Sequence, residues 1–175
     1  MSIAAVFSVD AESLGLYGDI FAVGVSVREC DTNKEIDSLY VGCPLATVDG
    51  YRPDHPSIKW LEEHVLCVLP PPTCTTAREM RDQFWAFYEK WKAAGATFVA
   101  DCGVPVEANL FRRCVLDDEK TRCFQAPYPL HELGTLLLAH GKDPIGTYPR
   151  KPDELPAHHP LNDARQSGRQ WIELQ

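Results

Sequence analysis

The first 41 residues constrain the fold most. They hold three stretches of strand length: Ile3 to Val9, which runs into Asp10, Ile20 to Val27 (IFAVGVSV), and a weaker one from Glu35 to Val41. Turn-forming segments, Gly15–Gly18 and Asp31-Thr32-Asn33, separate them. A meander of three antiparallel strands is the economical reading.

The chain then changes character. Pro53, Pro56 and the triplet Pro70-Pro71-Pro72 interrupt residues 44–75, leaving room for one short helix near Ile58–Leu66. The clearest helix follows. Thr76 with Glu79 makes a capping-box pattern, Met80, Phe84, Phe87 and Trp91 share a face, and Gly95 lies just past the end. Thr97 to Ala100 predicts a fourth strand ending at Asp101. Pro105 opens a helix with Val106, Leu110 and Cys114 on one side. A further helix fits His131 to His140, and a proline-rich loop over 142–157 carries Arg150 and Lys151. The last helix spans about Pro160 to Leu174, with Leu161, Ala164, Gly168 and Trp171 along one stripe. This order predicts an α/β sandwich with a mixed sheet, not a regular βαβ repeat.

At 175 residues and 45% hydrophobic, the chain has the size and composition of one globular domain, 1–175. Its apolar runs are too short to cross a bilayer, and MSIAAVFSVD lacks the basic start of a secretion signal. A cytoplasmic protein is expected. Seven scattered cysteines form no C-x-x-C pair, so free, mostly buried thiols are the better reading. The net charge of −8 argues against coating of long duplexes. It argues much less against an enzyme that handles only a strand end, because carboxylates that hold metal add to the acidic count.

Three segments carry the chemistry. In Asp10-Ala11-Glu12, residues i and i+2 of a strand point to one face, so two carboxylates converge and repel unless a cation lies between them. In the segment His158 to Arg165, Asp163 falls in the first turn of the last helix and His158 just outside it. A histidine near neutral pKa suits proton abstraction from water. Between these, Asp101 ends the fourth strand and Glu107 sits in the first turn of the next helix. Each segment has an ordinary alternative: solvated strand ends are often acidic, and helix starts favour acids.

Taken together, the segments resemble the DnaQ-like, or DEDDh, exonucleases. That superfamily has D-x-E on the first strand, an acid before the central helix, and H-x-x-x-x-D at the last helix. The motifs match in order from Asp10 and Glu12 to His158 and Asp163. Trp60 to Pro72 with the long helix after it is similar to a compact bacterial branch of stand-alone exoribonucleases. Two positions depart from the pattern. Pro160 stands where a small apolar residue is usual. Val106-Glu107-Ala108-Asn109-Leu110 replaces Phe-Asp-x-x-Phe, so either Glu107 or Asp101 takes the fourth carboxylate's place.

The resemblance implies an RNase H-like fold with a five-stranded mixed sheet flanked by helices. It also implies 3′–5′ hydrolysis of single strands or overhangs to nucleoside 5′-monophosphates, with RNA favoured over DNA. Two divalent cations, Mg²⁺ or Mn²⁺, about 3.5–4 Å apart, would be held by Asp10, Glu12, Asp163 and one or both of Asp101 and Glu107. His158 would be the general base. Leu14, Tyr17 and Phe21 follow D-x-E, where the family lines its terminal-nucleotide pocket. Two rivals share the same residues: a catalytically silent RNase H-like binding module, and an endonuclease of the same fold. Oligomeric state is not readable from the sequence, and a homodimer is compatible with it.

Overall fold

A computed structural model describes residues 4–175. The meander forms as expected: β1 (Ala5–Ser13), β2 (Ile20–Glu29) and β3 (Glu35–Gly42) pair antiparallel in turn. β4 (Thr97–Ala100) joins parallel to β1, and β5 (His131–Glu132) parallel to β4. The order is β3-β2-β1-β4-β5, a mixed five-stranded sheet of RNase H-like type.

Two boundaries differ from expectation. β1 does not stop at Val9 but continues through Ser13, because its ladder with β2 runs on to Glu12 opposite Ala22. Asp10 and Glu12 therefore lie within a paired strand. Ile3, the expected strand start, lies outside the described residues. The helix expected from His131 begins later, as α5 (Leu133–Ala139), since its first two residues are extended and pair with Val99 and Ala100 at the open edge of β4.

The other helices are α1 (Ile58–Leu61), which runs on into a π-helical turn (Glu62–Leu66), α2 (Ala77–Ala93), α3 (Val106–Asp117), α4 (Glu119–Arg122) and α6 (Pro160–Glu173). Thr76 caps α2 by accepting the Glu79 N–H at 3.1 Å, but the Glu79 carboxylate reaches back to Thr75 instead of Thr76. Met80, Phe84 and Tyr88 of α2 pack under the sheet, with Phe7 and Phe98 edge-on at 5.1 Å between ring centres.

α6 covers β1 and β2 unusually closely. A Cβ on Gly24 would lie 2.0 Å from the Leu161 nitrogen, and one on Gly168 would lie 3.0 Å from the Ser8 Cβ. Any larger side chain at Gly24 would push the first turn of α6 off the sheet. The buried face of α6 is accordingly built from small and polar residues: Ala164 and Gly168, as expected, with Asn162 and Ser167. Leu161 and Trp171 are only half-buried. Of the seven cysteines, all free, Cys43, Cys74 and Cys114 are buried, whereas Cys67, Cys102 and Cys123 are exposed. Among the described residues no helix is long and apolar enough to cross a membrane.

Candidate active site

The close approach of α6 sets the site. Gly24 pairs with Asp10 across the β1–β2 ladder, so the helix start that rests on Gly24 also stands beside Asp10. Pro160 occupies the first turn of α6, and the Asn162 amide donates to the Pro156 carbonyl at 3.1 Å, tying that turn to the incoming loop. The Asp163 carboxylate then accepts the His158 backbone N–H at 3.0 Å. His158 itself takes a left-handed φ of 61°, a conformation that costs energy for a side chain with a Cβ. Its imidazole is exposed, and one ligand atom from each of Glu12, His158 and Asp163 falls within 4.8 Å of the others.

Glu107 approaches from α3. It is 5% exposed, and its carboxylate accepts the Ala11 N–H at 3.3 Å, between the two acids of β1. Asp101 follows β4 at the exposed mouth. The structure thus brings together Asp10, Glu12, Asp101, Glu107, His158 and Asp163, drawn from three separate stretches of chain.

The acids repel one another. Asp10 is held well above the carboxylate range, first by burial and then by Asp163, Glu107, Glu12 and Asp101. Glu12 is pushed up to about 8 by burial, Asp163 and Glu107. Glu107 is pushed up to about 7, again first by burial. Backbone hydrogen bonds from its own and the Ala11 N–H oppose the shift, while Asp101 and Glu132 add to it. Hard oxygen donors in this number, short of positive charge, fit a divalent cation. The one basic side chain within ion-pair distance of them, among the described residues, is Arg150, whose Nη1 donates to Asp163 at 2.5 Å.

The expected nucleotide-pocket residues do not gather here. Leu14 and Phe21 are 3% and 2% exposed and belong to the hydrophobic core, although Phe21 borders a cleft with Tyr40, Pro44, Leu45 and Leu66. Tyr17 is 84% exposed on the β1–β2 turn. The aromatic surface at the site is instead Trp60, half-exposed, stacked on His64 at 5.0 Å and edge-on to His158 at 5.5 Å. The sequence carries no signal for this, because Trp60 and His64 sit in a short helix amid an irregular, proline-broken stretch. Arg150 is open in sequence to a phosphate contact, as Arg112, Arg113, Lys151 and Arg165 are, but nothing local singles it out among them.

No protein-family profile matches the chain, and a search of curated proteins finds no match. Among solved structures, the chain is similar to the nuclease domain of 3′hExo, a DEDDh family member, bound to rAMP. The identity is 10%, the TM-score 0.48, and the match covers 99% of this chain and 91% of that one. It is also similar to cell-death related nuclease 4 (11% identity, TM-score 0.43) and to a full-length 3′-exonuclease (11%, 0.45). Each of these two matches covers 99% of this chain, which spans 64% and 60% of theirs.

Proposed function

We propose that the chain is a metal-dependent 3′–5′ exonuclease acting on single strands or overhangs. The observation that carries this reading is the convergence of five carboxylates and one histidine beside the first strand, with the acids short of compensating charge. Asp10, Glu12 and Asp163, with Glu107 or Asp101, would hold Mg²⁺ or Mn²⁺. Bound cations would lower the pKa of water and neutralise charge building on the phosphate.

The chain's own residues supply the rest. A ring nitrogen of His158, exposed at the rim of the acids, takes the proton from the attacking water. The bond from its backbone N–H to Asp163 keeps the histidine beside the acids. Glu107, bonded to the Ala11 N–H, braces the strand that carries Asp10 and Glu12. Trp60 offers the terminal base a stacking face next to His158. RNA is the favoured substrate on the resemblance of the Trp60–Pro72 segment and the following helix to stand-alone exoribonucleases.

The test is digestion of matched 5′-labelled RNA and DNA oligonucleotides with Mg²⁺ or Mn²⁺. Products should shorten one nucleotide at a time and release nucleoside 5′-monophosphates, with RNA faster and circular strands untouched. Cleavage of circles would favour an endonuclease. No cleavage together with no Mn²⁺ uptake would leave a silent binding module.

A further inference from the structure

Beside His158, away from Trp60, a polar cleft of about 360 Å³ opens between the 144–150 loop and α6. Asp101, Thr147, Arg150, Gln166 and Gln170 line it, so it is continuous with the acids at one end and neutral to basic along its length. Arg150 is the notable group. Its side chain is only 22% exposed, and Nη1 alone makes its contacts, to the Asp163 carboxylate and to the Glu154 carbonyl at 2.9 Å. Those two bonds fix the guanidinium in place. Nε and Nη2 make no hydrogen bond to protein among the described residues, which leaves the two-pronged edge that best matches a phosphate.

We propose that this cleft holds the sugar–phosphate of the nucleotide 5′ to the scissile bond, with Arg150 as the ligand of its phosphate. The inference rests on the exonuclease reading and adds a direction to it. His158 borders both Trp60 and the cleft, so a strand whose last base lies on Trp60 crosses the acids and continues past Arg150. The chemistry suits a backbone, because the lining offers amides and a hydroxyl for sugar oxygens and one fixed cation for one phosphate. In a protein of net charge −8, that cation supplies local attraction for a polyanion where the acids repel it.

The experiment measures binding of short oligonucleotides in Mg²⁺, with the 3′-terminal linkage made phosphorothioate to slow cleavage. A neutral methylphosphonate is placed at each of the next linkages in turn. Wild-type protein should lose about ten-fold or more in affinity when the second linkage from the 3′ end is neutral. Arg150→Gln should bind weakly whether that linkage is charged or neutral, and its salt slope should fall by about 0.7. Arg150→Lys should recover the slope but not the affinity, as expected where the fork matters. Gln170→Glu, about two turns along α6 from Asp163, should weaken longer oligonucleotides while leaving nucleoside monophosphates and Mn²⁺ affinity unchanged.

Equal losses for Arg150→Gln at every linkage, or a wild type indifferent to the second linkage, would overturn the cleft while leaving the nuclease standing. A wild type that binds no oligonucleotide at all would overturn both.

Discussion

Two sets of buried acids in this molecule are treated in opposite ways. Glu154 is 1% exposed and Arg169 7%, and the guanidinium meets the carboxylate with bonds of 2.5 and 2.9 Å. Burial alone would raise the Glu154 carboxyl, but Arg169 and the Lys151 N–H hold it below its ordinary value. Asp10, Glu12 and Glu107 have no basic partner within ion-pair distance among the described residues, and all three are raised. The completed pair clamps the loop bearing Arg150 and His158 onto α6. The incomplete set is where positive charge has still to arrive. Burial of charge is thus common to both, and compensation is what separates a clamp from a reactive site.

The sharpest way to break the comparison is Asp10→Asn. Turnover should fall below detection, while the metal-free protein keeps or gains stability because one repelling charge is gone. Nuclease assays and melting in EDTA read the two effects, and retained turnover would remove Asp10 from the chemistry. His158→Ala should cost about two to four orders of magnitude in rate and leave Mn²⁺ affinity intact by calorimetry. A larger loss from His159→Ala would move the proton acceptor by one residue.

On the compensated side, Glu154→Gln takes the buried carboxylate from Arg169, which keeps only Glu173 at 2.8 Å and the Pro149 carbonyl at 3.1 Å, and should destabilise the fold by about 1.5–3 kcal/mol. That is a fall of roughly 3–12 °C in Tm for a chain of this size. A fall of under about 1 kcal/mol would show that the pair is not what holds the loop.

The smallest effect is with pH. Glu12 and Glu107 titrate near 4.5 when free and at about 8 and about 7 in the fold. The folded state therefore keeps protons that the unfolded chain releases. Their contribution to stability is complete below the free value and is lost as pH rises through the folded one. Stabilisation by Mn²⁺ should widen across the same interval, as the difference between melts with Mn²⁺ and with EDTA. A constant difference would mean that these acids do not bind the ion.

Much of this could be read from local pattern. Thr97–Ala100 is β4 to the residue, since a short apolar run bounded by Gly95 and Asp101 leaves little choice. β5 escaped such reading because two residues carry no periodicity and become a strand only by pairing with β4. Leu14 and Phe21 looked like pocket residues by their position after D-x-E, but the turn at Gly15 folds Leu14 inward and β2 buries Phe21 in the core.

The sequence by itself determined the order of the longer strands and helices and the acids they would carry, because hydrophobic period, caps and prolines act within a few residues. Only the tertiary structure decided that those acids meet. Gly24 and Gly168 let α6 lie against β1 and β2 at backbone distance, which sets Asp163 beside Asp10 and brings His158 to Glu12. It likewise decided that Trp60 stays exposed at His158 and that one edge of Arg150 stays free. Exposure and free hydrogen-bond donors depend on what distant segments cover, and no local pattern records that.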